Sequence, residues 1–157
     1  YQEIADRCYF NFLRVYTPAN ATLSEATAHQ VPGAALMSQT TWQGRATATS
    51  EFASYTTFTN FFMLPRGEQL TTAYQYSLPP TVLQPGNEGE FVYTLWLRKQ
   101  AGQSPEPVQI NVTLPEGSAV LHAGSSNNAT IKTVNNAVEI SLELQTDTQI
   151  TVHFSQP

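Results

Sequence analysis

The stretch Ile131-Lys132-Thr133-Val134-Asn135-Asn136-Ala137-Val138-Glu139-Ile140-Ser141-Leu142 decides the fold. Val138, Ile140, Leu142 and Leu144 alternate with Glu139, Ser141 and Glu143, the period-two pattern of a strand with one face in a core and one in water. Asn tolerates positive φ, so Asn135-Asn136 reads as a two-residue hairpin turn. That turn sets Val134 against Ala137, Thr133 against Val138, Lys132 against Glu139 and Ile131 against Ile140. The apolar pairs then share one face and the Lys–Glu pair lies on the other. A slip of one residue would bury the charges, so the register is specified.

The same alternation spreads outward. Val108, Ile110, Val112 and Leu114 form one row, Ile150, Val152 and Phe154 another, and Leu70 to Leu78 a third, with Tyr74, Tyr76 and Leu78 on one side. Tyr9 to Tyr16, Tyr55 to Leu64 and Phe91 to Arg98 carry apolar groups on both faces. Such strands are expected centrally in a sheet, or with an outer face covered by a neighbouring loop or domain. Proline and glycine punctuate the ends, as at Pro32-Gly33, Pro65-Arg66-Gly67, Pro79-Pro80 and Pro115-Glu116-Gly117. No segment holds helical spacing over three turns. His29 to Ser50 reads as a long connection with a short strand around Thr40 to Gln43.

The expected fold is therefore all-β: an immunoglobulin-like or related antiparallel β-sandwich of about ten strands, or two sandwich-like halves. Residues 1–157 read as a single module with a candidate internal boundary at Pro79 to Gly89, separating 1–78 from 90–157. The strand–turn–strand pattern of Phe12 to Ala26 returns at Ile110 to Ala123, and Phe58 to Tyr76 is echoed by Ala137 to Phe154.

Charged residues make up 12% of the chain against a usual share of about 25%, and Thr, Ser, Asn and Gln supply most of the polarity, which favours an extracytoplasmic β protein. A net charge of −5 with seven scattered Lys and Arg offers no basic patch for nucleic acid or for an anionic membrane surface. The lone Cys8 has no internal partner and reads as a small buried hydrophobe, with pairing to another chain as the alternative. No apolar stretch approaches the roughly 20 residues of a spanning helix. The chain opens without Met or a signal peptide, so it is expected to be a processed or excised fragment with its anchor upstream.

Three blocks, taken in order, carry a family likeness. They are Tyr9-Phe-Asn-Phe-Leu-Arg14-Val-Tyr16-Thr-Pro18, then Phe61-Phe62-Met-Leu-Pro65-Arg-Gly67-Glu68 with Tyr74-Gln-Tyr76-Ser-Leu78-Pro79, and Tyr93-Thr-Leu95-Trp-Leu97-Arg-Lys99-Gln100-Ala-Gly102. Together they resemble the C-terminal region of bacterial membrane-anchored proteins called "domain of unknown function four-thousand-and-twelve". The likeness covers about the first two thirds of the chain. It departs at Arg66-Gly67, where a second Pro is expected before the Gly. It implies a cell-envelope setting outside the cytoplasmic membrane, with the anchor upstream, and supplies no catalytic residues.

The chemistry-bearing residues point away from catalysis. His29, His122 and His153 are widely separated and lack zinc spacing, so each reads as a surface or packed structural histidine. Asp6 and Asp147 are the only aspartates, too few for a calcium loop. Gly124-Ser125-Ser126-Asn127-Asn128 reads as a polar turn, not a nucleophile elbow. The carboxylate pairs Glu139/Glu143 and Glu88/Glu90 lie on a solvated strand face and beside a Gly turn, with no cause for shifted pKa values. The sequons at Asn20, Asn111 and Asn128 are silent in a bacterial source. Trp42, in the Thr/Gln-rich connection, and Trp96, opposite Phe91, Tyr93 and Leu95 with Arg98 on its own face, are the candidate binding residues. The expectation is a non-catalytic structural or interaction module with no cofactor or metal, meeting a protein or glycan of the envelope. A carbohydrate-binding module using Trp42 or Trp96 is the first alternative, and a cryptic hydrolase the second.

Overall fold

The computed structural model describes residues 9–87 and 89–156, so the readings of Cys8, Asp6 and Glu88 fall outside the described residues. The chain is all-β and divides into two compact units between Pro79 and Pro80. Among the described residues the only helical segments are two three-residue 3-10 turns, Gly33–Ala35 and Pro80–Val82.

Among the described residues unit 2 holds seven strands: β6 (Leu83–Pro85), β7 (Glu90–Leu97), β8 (Glu106–Thr113), β9 (Ala119–Ser125), β10 (Thr130–Val134), β11 (Ala137–Leu144) and β12 (Thr148–Ser155). They form two antiparallel sheets, β6-β7-β12-β9 and β10-β11-β8. The hairpin register is the one the sequence specifies: Val134 meets Ala137, Thr133 meets Val138, Lys132 meets Glu139 and Ile131 meets Ile140. Asn135 carries the positive φ, 54°. Its neighbour Asn136 does something the sequence does not announce. Its Nδ2 donates to the Leu114 carbonyl (2.7 Å), and its own carbonyl accepts from the Leu114 N–H (2.8 Å), tying the turn to the end of β8.

The two sheets close over one interior. Val138, Ile140 and Leu142 from one meet Ile150, Val152 and Phe154 from the other, with Phe91, Tyr93, Leu95 and Ile110 packed around them. Each set lies two residues apart because alternate side chains share a face. The layering is that of an immunoglobulin-like sandwich, but the chain path is a related one. Counting β6 to β12 as first to seventh, the sheets run first-second-seventh-fourth and fifth-sixth-third. The immunoglobulin constant-type order is first-second-fifth-fourth and third-sixth-seventh, so the fifth and seventh strands have changed places.

Unit 1 holds β1 (Tyr9–Pro18), β2 (Thr22–Ala26), β3 (Thr47–Phe52), β4 (Tyr55–Leu64) and β5 (Tyr74–Ser77), in sheets β1-β4-β3 and β2-β5. The strand order repeats that of β8 to β12: β1-β4-β3 corresponds to β8-β11-β10, and β2-β5 to β9-β12. The sequence echo between Phe12–Ala26 and Ile110–Ala123 falls on the matching pairs β1–β2 and β8–β9. Unit 2 adds β6 and β7 beside β12. In unit 1 the fully buried Phe58 of β4 packs against Tyr74 and Tyr76 of β5, with ring centroids 6.4 and 5.4 Å away, and so joins the two sheets.

Among the described residues there are twelve strands where about ten were expected, and three finer readings need correction. One of the additions, β3, begins inside the stretch read as a connection. All six of its residues are exposed, so no apolar period marks it; pairing of Thr47, Ala48 and Thr49 with Thr59, Phe58 and Thr57 makes it a strand. The short strand expected at Thr40 to Gln43 is a single bridge between Val31 and Trp42. The alternation from Leu70 yields a ladder only over Tyr74–Ser77.

Candidate functional site

Of the strands that are apolar on both faces, β4 is central and buried on both sides, and β7 lies inside its sheet. β1 is different. Among the described residues it is an edge strand paired only with β4, and its outward residues Phe10, Phe12, Arg14 and Tyr16 are exposed. The central position expected for it is overturned, and its exposed face forms an aromatic strip.

The strip is ordered by cross-strand pairing. Phe10 stacks on Phe61 (5.9 Å between centroids, 6° between planes). The Arg14 guanidinium lies 5.1 Å from the Phe12 ring centroid and reaches the Glu51 carboxylate of β3 at 3.3 Å. Tyr16 packs against Tyr55 and Phe52 at 6.3 and 6.4 Å. Donation from Arg14 to the Tyr16 hydroxyl oxygen, then the charge of Glu51, raises the Arg14 pKa further.

Trp42 joins this strip. The β2–β3 connection folds back on itself through the Val31–Trp42 bridge, with Val31 fully buried and the Trp42 and Val31 amides exchanging hydrogen bonds at 3.0 Å. Two glycines let the backbones close up. A Cβ on Gly44 would sit 1.9 Å from the His29 carbonyl oxygen, and one on Gly33 2.5 Å from that of Gln39. The closed loop presents Leu36 and Trp42 beside Phe12 and Phe61, forming an apolar cleft of about 290 Å³. Trp42 is 43% exposed and Phe12 54%.

Trp96 belongs to unit 2 and stands alone. It projects outward from β7 opposite Gln149, 53% exposed, with the Arg98 guanidinium 5.0 Å from its ring centroid, as the shared face anticipates. Asp147 holds that guanidinium, accepting from Arg98 Nη1 at 2.6 Å and from the Lys99 N–H at 2.8 Å. Those two bonds, Arg98 first, keep the Asp147 carboxyl below the usual carboxylate range. The folded pKa is thus the lower one. Its stabilising contribution is complete above the unfolded value and is lost as pH falls through the folded one. Replacing Asp147 with Asn should therefore narrow the stability gap to wild type as pH drops from about 5 to about 2, read from urea midpoints at each pH.

A second hollow, about 950 Å³, lies on unit 2 among Gln109, Asn127, Asn128, Ser141, Glu143 and Thr146. Its wall is fixed by Asn127, whose Nδ2 donates to Thr146 Oγ1, the Asp147 carbonyl and Thr148 Oγ1. Hydroxyls and amides dominate it, and its single titratable lining group is the exposed Glu143. Such a surface can hydrogen-bond a polar ligand but pairs no hydroxyl with an imidazole. His29 is engaged elsewhere, with Nε2 2.9 Å from Thr72 Oγ1 and its ring against Phe62. Glu139 faces Lys132 across the hairpin, and Glu90 accepts the Asn87 N–H at 3.2 Å. Among the described residues no three His, Cys, Asp or Glu converge as metal ligands, and no helix is long and apolar enough to cross a membrane.

The sequence singled out Trp42 but not its partners. Phe10, Phe12 and Tyr16 lie in a stretch read as apolar on both faces, a pattern that lacks any mark of an edge position. Comparison of the chain with protein-family models, with curated proteins and with solved structures found no match.

Proposed function

We propose that this chain is a non-catalytic interaction module of a bacterial cell-envelope protein, working outside the cytoplasmic membrane and tethered through a segment beyond this chain. Its contact surface is the aromatic strip of unit 1, and its partner is a protein. The observation that carries this reading is the exposed Phe12 and Trp42 lining an apolar cleft, with exposed Phe10 stacked on Phe61 beside it and Tyr16 further along the same face of β1. Aromatic and Arg side chains are the usual anchors of protein interfaces, and an exposed patch of this kind marks an interaction site. A glycan needs polar groups beside the stacking ring to fix its hydroxyls, and Phe12, Leu36, Trp42 and Phe61 offer none inside the cleft. The cellular setting draws on the three-block likeness and the weakly charged composition alone.

Photo-crosslinking from position 12 or 42 against solubilised envelope proteins tests the reading, with insoluble cell-wall glycan in parallel. A discrete protein crosslink is expected, reduced at least about tenfold by W42A when the probe is at position 12 and by F12S when it is at position 42, and untouched by W96A. Retention on glycan that depends on Trp42 or Trp96 would instead support the carbohydrate alternative. Crosslinks indifferent to Phe12 and Trp42 would remove the strip from the function.

A further inference from the structure

His122 and His153 are far apart in sequence, yet the fold sets them directly opposite each other on β9 and β12. Their ring centroids lie 5.9 Å apart, with the planes at 61°. A β-bulge produces this placement. Val120 pairs with Phe154 and Ala123 with Val152, both facing the core, so inward residues on β9 are three apart there instead of two. The extra residue, Leu121, resets the alternation and turns His122 to the outer face beside His153. Bulges re-aim side chains in this way.

The surroundings leave space for both rings. Gly124 follows His122 on the same face, and a side chain there would meet His122 Nε2 at 3.2 Å and Thr151 Oγ1 at 3.5 Å. On β7 the residues opposite His153 and Thr151 are Val92 and Thr94, so no cation occupies those positions. His122 is exposed and His153 half-buried, which leaves the pair open to solvent.

We propose that His122 and His153 chelate one divalent first-row transition-metal ion on this face of unit 2. Two imidazoles on one tetrahedral ion, with nitrogens at 2.0–2.1 Å, hold their centroids roughly 5 Å apart. From 5.9 Å the centroid separation has under about 1 Å to close, and rotation about the broad χ2 of histidine turns a nitrogen of each ring inward. Imidazole selects Cu²⁺, Ni²⁺ and Zn²⁺ over Mg²⁺ and Ca²⁺, with Cu²⁺ bound most tightly. Water, or a donor from a bound partner, completes the coordination.

The test titrates the whole chain at neutral pH with Cu²⁺, Zn²⁺ and Mg²⁺, following calorimetric stoichiometry and the imidazole NMR signals. One Cu²⁺ and one Zn²⁺ should bind, Cu²⁺ more tightly and Mg²⁺ not at all, with the His122 and His153 signals responding before His29. H122Q and H153Q should each weaken binding at least about tenfold while near-ultraviolet circular dichroism stays unchanged. A smaller loss in either variant, a first response at His29, or no saturation below about 1 mM overturns the proposal.

Discussion

Phe154→Ala should lower the unfolding free energy of unit 2 by about 3–5 kcal/mol, the usual cost of deleting a buried aromatic ring. Phe154 is 2% exposed and stacks on Phe91 at 5.8 Å, on the β12 face that meets Val138 and Ile140. β12 is held between β7 and β9, so the void opens at the middle of the four-stranded sheet, where neighbours paired on both sides cannot collapse into it. A body of this size is stable by roughly 4–12 kcal/mol, so the loss approaches the whole margin. Ile140→Val, which removes one methylene from the facing sheet, should cost only about 0.5–1.5 kcal/mol. Urea unfolding, with amide exchange read on β7, β9 and β12, measures both. A loss under about 1 kcal/mol for Phe154→Ala would mean that the two sheets do not share the interior described.

Gly44→Ala should be the most damaging single change to the candidate site. Gly44 has φ +69°, and its missing Cβ leaves room for the His29 backbone, which would otherwise be met at 1.9, 2.2 and 2.5 Å. The obstructing atoms are main chain, so no rotamer relieves the clash. The left-handed φ alone costs a side chain about 1 kcal/mol or more. The connection must open, separating the Val31–Trp42 bridge and releasing the His29–Gly44 hydrogen bond. The expected result is a loss of at least about 2 kcal/mol in unit 1, with Trp42 fluorescence shifted towards that of a solvated indole. Crosslinking from position 12 should fall with it. Gly67→Ala is the control: its φ is +74° but nothing lies within 4 Å, so only the conformational cost applies. Equal effects at the two glycines would show that the close approach at His29 is not what shapes the loop.

Much of unit 2 was legible because its strands are half-buried. Where one face meets water and the other the core, each residue reports its own side, and the Asn135–Asn136 turn then leaves one register that keeps Lys132 and Glu139 out of the interior. β3 was illegible for the opposite reason: with all six residues exposed, Thr, Ala and Ser carry no contrast between faces. The connection from His29 to Ser50 looked slack because Ala, Thr and Gln have weak preferences. Its order comes from Gly33 and Gly44, whose contribution is the absence of an atom. For the candidate site, Trp42 was nameable as a large aromatic in a Thr/Gln-rich connection and Trp96 as one on the face opposite Phe91, Tyr93 and Leu95, and Arg98 was placed correctly beside Trp96 by strand alternation. Phe12 and Phe61 could not be assigned to the cleft, since a strand apolar on both sides reads the same at an edge and at the centre of a sheet.

The alternation of side chains determined by itself that this protein is built of antiparallel strands with a shared apolar interior, because burial on a pleated strand is a local choice repeated every second residue. The tertiary structure decided strand order, which edges stay open, and which distant residues meet, such as His122 with His153 or Trp42 with Phe12. Those depend on pairings between segments far apart in the chain, and the free energy of such pairings is not written in either segment alone.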